Sequence, residues 1–311
     1  MSEHAEGETI GGALVSVCIC TFRRPAGVAR ALESVLAQAV PQSWTLEVIV
    51  VDNDPDGSAA KVVADLAQAS DTPVRYVVES QSGVSHARNR CLAETRGELV
   101  AFLDDDEWAS DGWLTGLVEQ LLASRADAVF GPVCPEYATP PALWLVASGI
   151  HQRPRYESGT QISWGDARTG NVLFRRGCAG VTGGFDIRFA RTGGEDSLFF
   201  ARAAERGARL VWCDDAVVTE AVPMERMTRR WVMRRAFHGG RTYARVHAQL
   251  AGPRAYVLFG MRGILAAFVS FPVALVLWLR GSERHMFYAR RAVGGLGKLA
   301  ASFHRGGDYA G

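Results

Sequence analysis

Residues 97–108 read GELVAFLDDDEW: an apolar run, Leu99 to Leu103, ends in four consecutive carboxylates, Asp104, Asp105, Asp106 and Glu107. Adjacent carboxylates repel one another strongly once desolvated. Such a run persists either because water screens it or because a cation sits among its oxygens. The run before it has the character of a strand covered on both faces, apolar at every position. Three similar stretches are apolar at nearly every position, Leu14 to Thr21 (LVSVCICT), Leu46 to Val51 (LEVIVV) and Val74 to Val78 (VRYVV).

Helical periodicity fills the gaps between these runs, at Val28 to Gln38, Ala59 to Ala69 and Ser85 to Thr95. Strand and helix alternate, which predicts an α/β fold: a mostly parallel sheet flanked by helices on both sides. Ligands of such sheets bind beyond the carboxyl ends of the strands. Those ends carry Thr21, Arg23 and Arg24, then Asp52, Asn53, Asp54 and Asp56, then the acidic run 104–107. Further on, a helix is expected at Trp113 to Ser124, a strand at Ala128 to Phe130 and loops over 132–170. The stretch TGNVLFRR is expected to return to the sheet as a strand.

The chain has 311 residues, 48% of them hydrophobic, enough for a large core. Its net charge of +1 hides an asymmetry: residues 224–311 hold 15 Lys and Arg against 3 Asp and Glu, leaving 19 against 30 in residues 1–223. An acidic body argues against nucleic acid as a partner; a basic tail suits phosphates or an anionic membrane surface. The six cysteines include no CxxC and read as buried, reduced thiols. The start, MSEHAEGETIGG, lacks the basic and apolar segments of a secretory signal, so residues 1–13 are expected to be a flexible arm.

Asp104 and Asp106, two apart, point the same way if the extended backbone continues, and their hard oxygens suit Mg²⁺ or Mn²⁺. With so few protein ligands, such an ion usually holds phosphates as well. Five stretches, VSVCICTFRRPAGVARALESVLAQ (15–38), VIVVDNDPDGS (48–58), GVSHARN (83–89), GELVAFLDDDEW (97–108) and GGFD…GGED (183–196), resemble in order and spacing the family 2 glycosyltransferases of the GT-A fold, the kind that builds bacterial polysaccharide or glycolipid. The resemblance spans about residues 14–215.

That resemblance implies a nucleoside-diphosphate sugar donor lying across the strand ends and a divalent metal, Mg²⁺ or Mn²⁺, on its diphosphate. It implies Asp104 and Asp106 as metal ligands, with Asp104 and Asp105 also contacting the donor. Thr21 and Arg23 map to the nucleotide site, Asp52 to the base, and Arg88 to base or phosphate. Asp52 as a cap of the turn DNDPDG, and Arg88 as decoration of a helix start, remain open. An inverting member needs a carboxylate base for the acceptor hydroxyl. Asp196 occupies that position with Glu195 as helper, and Asp186 is a second candidate; an ordinary acidic helix start at 195–196 is the alternative. Some relatives supply a late His to the metal, whereas DDAVVTEAVP offers only Glu220. A sugar nucleotidyltransferase, which wants a Gly-rich loop where this chain has CTFRRP, and a catalytically silent scaffold of the same fold are the rival classes.

In the tail, Gly263 to Leu279 (GILAAFVSFPVALVLWL) is uncharged over seventeen residues and bracketed by Arg262 and Arg280. It can span a membrane, lie in its plane, or form a soluble core helix; the flanking arginines give no charge bias to choose a topology. A second apolar stretch, Met286 to Phe303, is placed to pack beside it. The expected organisation is a GT-A domain over 14–223 and a basic, apolar helical tail over 224–311. That tail would hold the enzyme at the cytoplasmic face of the membrane, against a glycan or lipid-linked acceptor.

Overall fold

The structure, a computed structural model, describes residues 13–41 and 44–303. The arm expected over residues 1–13 lies outside the described residues except for Ala13, which is buried and whose carbonyl accepts the amide of Thr45 at 3.1 Å.

The first half alternates as the sequence predicts: β1 (Leu14–Thr21), α1 (Pro25–Leu36), β2 (Thr45–Asp52), α2 (Ala60–Gln68), β3 (Val74–Val78), α3 (Val84–Glu94) and β4 (Leu99–Asp104). Helix α1 starts three residues before the expected Val28, because Pro25 sits in its first turn, where a missing N–H costs nothing. There follow β5 (Glu107–Ala109), α4 (Trp113–Ser124), β6 (Ala128–Phe130), β7 (Val133–Tyr137), α5 (Leu143–Ser148), β8 (Asn171–Arg175), α6 (Gly177–Thr182), α7 (Glu195–Glu205), β9 (Leu210–Trp212) and β10 (Val218–Val222). The tail forms α8 (Arg229–Ala251), α9 (Arg254–Leu279) and α10 (His285–Phe303).

The main sheet has the order β3-β2-β1-β4-β8-β6-β9, with β3, β2, β1 and β4 parallel and β8 antiparallel to both its neighbours. Alternate residues feed two cores. Val15, Val17, Ile19, Leu99, Ala101 and Leu103 join the core on one face; Cys18, Ile49, Val51, Val100 and Phe102 join the other. Burial on both faces is why these strands show no polar alternation. β3 departs from that expectation: it is the edge strand and is only half-buried.

Residues 132–170 are not all loop. Val133–Tyr137 pairs with β10, which also takes β5, forming a small second sheet in the order β5-β10-β7. The tail helices pack back on the body through apolar clusters: Leu145 of α5 with Val232 and Met286, and Phe189 and Leu198 with Val246. Helix α9 alone among the described residues is long and apolar enough to cross a membrane by length and composition. The cysteines are free thiols, most of them buried; Cys20 and Cys91 lie 3.5 Å apart, sulfur to sulfur.

Candidate functional site

The chain runs outward from β1 to β3, then returns to the other side of β1 as β4. Strand order therefore reverses at the β1/β4 boundary, where α/β sheets open a crevice. Register sets Thr21 level with Asp52 and Cys20 level with Asp104, so three strands deliver their polar ends to one place.

The four carboxylates after β4 then diverge. Asp105 turns inward, accepting Thr21 Oγ1 at 2.8 Å and Arg24 Nη1 at 2.9 Å. Asp104 accepts Arg88 Nη2 at 3.1 Å. Asp106 accepts Arg24 at 3.2 Å and Arg226, from the start of the tail, at 2.8 Å. Glu107 is buried, with Oε2 accepting the amide of Asp104 at 3.3 Å. Burial, reinforced by the charge of Asp104, pushes its carboxyl well above the ordinary range. The like-charge run is thus relieved by three arginines, Arg24, Arg88 and Arg226.

Arg88, on α3, is the hinge of the arrangement. It is buried, and its guanidinium bonds Asp104 with one nitrogen and Glu195 with the other. Burial opposes its charge, but Glu195 and Asp104 outweigh burial, so Arg88 stays protonated. Glu195 opens α7 after Gly194, whose φ of +98° suits glycine alone. Burial pushes Glu195 up to about 7 against the pull of Arg88, and its Oε2 has no hydrogen-bond partner among the described residues. Asp196 uses Oδ1 to hold the amide and hydroxyl of Ser197, at 2.6 and 3.3 Å, and lines the cleft.

Not every residue singled out in the sequence reaches this cleft. Asp52 is fully buried, and its oxygens accept Asp54 N, Ala59 N and Tyr76 Oη at 2.8–2.9 Å, so it pins the turn instead of lining the cleft. Its neighbour Asn53 lines the cleft, bonding Gly83 N at 2.7 Å. Arg23 points away at φ 54°, paired with Asp54 and Asp56, and Arg24 takes the inward position. Asp186 is held by Arg188, which draws its carboxyl down to about 2, and by Arg202; it lies outside the cleft. Arg24, Arg153, Arg226 and the stacked pair His151 and Trp231 (5.5 Å between ring centroids) do line it. Glu220 bridges Arg153 and Arg226, at 2.8 and 3.1 Å. Arg24 is legible as a neighbour of a strand end; nothing in the sequence spacing connects Arg226 to Asp106.

The cleft encloses about 1920 Å³, with the strand ends and α7 on one side and the three tail helices on the other. Among the described residues no three His, Cys, Asp or Glu groups converge as a metal cage. Asp104 and Asp106 nevertheless each keep one oxygen free of hydrogen bonds within the described residues. That donor set fits an Mg²⁺- or Mn²⁺-class ion that draws most of its shell from phosphate oxygens and water.

The family model described as "Glycosyl transferase family 2" matches residues 16–178. The chain is 35% identical over 286 residues to the succinoglycan biosynthesis protein ExoM of Rhizobium meliloti, covering 90% of this chain and 89% of that one. It is 26% identical over 257 residues to the glucosyl-dolichyl phosphate glucuronosyltransferase of Haloferax volcanii, covering 78% and 79%. Its fold is shared with the mannosyltransferase PcManGT of Pyrobaculum calidifontis, solved in complex with GDP-Man and Mn²⁺, at a TM-score of 0.59 and 24% identity, covering 91% and 86%. Sheet, crevice and sequence agree: the chain belongs to glycosyltransferase family 2 and is a glycosyltransferase of the GT-A fold.

Proposed function

We propose that this enzyme is an inverting, divalent-metal-dependent glycosyltransferase that moves a sugar from a nucleoside-diphosphate donor to a lipid-linked glycan during polysaccharide synthesis, at the cytoplasmic face of the membrane. One observation carries the reading: Arg88 bonds Asp104 and Glu195 together, so the carboxylates proposed for donor binding and the pair proposed for acceptor activation form one wall of one cleft.

Asp104 and Asp106 would hold the metal, which when bound supplies positive charge to the departing diphosphate. Asp105, fixed by Thr21 and Arg24, presents the donor side of the site. Arg88 adds a fixed positive charge where negative charge develops. Asp52 and Arg23 shape the turn that carries Asn53 into the cleft. Asp196 takes the proton from the acceptor hydroxyl as its oxygen attacks the anomeric carbon, on the side opposite the breaking bond to diphosphate. Glu195, buried and tied to Arg88, positions Asp196 at the helix start. The names of two relatives support the acceptor class: one acts in succinoglycan biosynthesis, the other on a glucosyl-dolichyl phosphate.

The test is transfer and donor hydrolysis by Asp106→Ala and Asp196→Asn, over a panel of nucleotide sugars with and without Mn²⁺. Loss of general-base assistance costs about 10²- to 10⁴-fold. Normal transfer by both variants would overturn these assignments.

A further inference from the structure

Opposite the acidic wall, the cleft face of the tail is basic: Arg234 and Arg235 on α8, Arg262 on α9, and Arg290, Arg291 and Lys298 on α10. Among the described residues the tail contributes no carboxylate to the cleft lining. On the body, Arg24, Arg88 and Arg153 are each paired with an acid, as is Arg226 at the start of the tail, while Arg168 and Arg191 line the cleft without a salt bridge within the described residues. The six cations from α8, α9 and α10 form no salt bridge within the described residues. Arg290 is partly buried, its Nε without a hydrogen-bond partner. Lys298, its ammonium 4.5 Å from the centroid of the Tyr243 ring, has its charge disfavoured by burial and by Arg291 and Arg262.

A cation cluster lacking counter-charges, concave and facing an active site, is arranged for an anion with several oxygens. Its neighbourhood narrows the choice. Arg262 lies on the same helix as Leu265, Phe268 and Phe271, which are 63%, 77% and 65% exposed. The cluster therefore shares a helix with an uncovered apolar face, and a molecule with both a phosphate and a lipid tail would find a partner for each on α9.

We propose that Arg262, Arg290, Arg291 and Lys298, with Arg235 across from them, form the binding site for the phosphate or diphosphate that joins the acceptor glycan to its lipid. The site holds the acceptor by its invariant link, so that the sugar end reaches Asp196 while the lipid runs along α9. This inference rests on the donor and acceptor reading above and adds the residues that recognise the acceptor.

Full-length protein is floated with phosphatidylcholine vesicles that are neutral, doped with polyprenyl diphosphate, or doped with phosphatidylglycerol. Wild type is expected to bind the polyprenyl diphosphate vesicles best, with inorganic pyrophosphate competing. R291Q/K298Q should lose at least about tenfold of that preference, the size expected for lost charge-assisted hydrogen bonds. R291K/K298R, which keeps the charges, and R284Q, an exposed tail arginine outside the cleft, should retain it. Equal binding by R291Q/K298Q and wild type overturns the site. Equal preference for phosphatidylglycerol shows a general anionic surface and also overturns it. Donor hydrolysis to water by the wild type reads the donor chemistry separately, so failure of that reading is distinguishable from failure of the acceptor site.

Discussion

Arg88 and Glu195 form a buried ion pair whose second arm reaches Asp104. Removing one partner strands the other charge, which typically costs about 3–5 kcal/mol. Arg88→Met should therefore lower the urea midpoint strongly as well as abolish transfer, whereas Asp196→Asn, half-exposed, should abolish transfer with little loss of stability. An unchanged midpoint in Arg88→Met would remove the pair from the fold's support. Glu195 also sets a pH signature. Unfolded, it gives up its proton near 4.5; folded, near 7. Within that window the folded state holds more protons, so this group's contribution to stability falls as pH rises through it and levels off above. The stability of wild type relative to E195Q should decline from about pH 5 to about pH 8, measured by urea unfolding at each; a flat difference would show that Glu195 titrates normally. At this scale the sequence is legible where a residue's position follows from its place at a strand end, as with Thr21, Asp104, Asp105 and Asp106, which all line the cleft. It misleads where neighbours trade places: Asp52 and Arg23 turn into the scaffold while Asn53 and Arg24 face the cleft, because backbone direction in the turn decides, and composition does not encode it.

The strands β1, β2 and β4 announce themselves because both faces are buried, leaving long apolar runs. The small sheet is silent in the sequence for the opposite reason. β5 has three residues, and its partner β10 lies more than a hundred residues later, so no local pattern marks either. The tail helices carry a different signature. Gly263 and Gly295 let α9 and α10 touch backbone to backbone: a Cβ on either would lie 2.3–2.4 Å from the carbonyl oxygen of the other. Gly240 makes the same approach between α8 and α10, where a Cβ would come within 2.0 Å of the carbonyl of Gly294. G295V should lower the melting temperature through overpacking worth about 1–3 kcal/mol. A melting curve identical to wild type would mean the helices stand further apart.

As a whole, the chain is an acidic catalytic body facing a basic three-helix tail, and the charge split at residue 224 is plain from the order of the amino acids alone. What the sequence leaves open is whether the run 263–279 spans a membrane or lies along it. In the fold the run belongs to a helix of 26 residues, about 39 Å long. One flank is packed on α10, and the other is bare, with Phe268, Phe271 and Trp278 at 77%, 65% and 60% exposure. That bare flank is the surface the proposed membrane seat would place among the lipids. Replacing Phe268, Phe271 and Trp278 together with Ser should release the full chain from neutral phosphatidylcholine vesicles and leave its melting temperature near wild type. Undiminished flotation would place the anchor elsewhere.

The clusters that join body and tail, Leu145 with Val232 and Met286, and Leu198 with Val246, make the tail a fitted part. An engineer who transplanted residues 224–311 onto another transferase, to borrow the membrane seat proposed for them, would carry across half of each cluster and leave it facing water. If the tail selects the acceptor as proposed, redirecting such an enzyme means exchanging α5 and α7 along with the tail, or keeping this body and rewriting only the cationic side chains that look into the cleft.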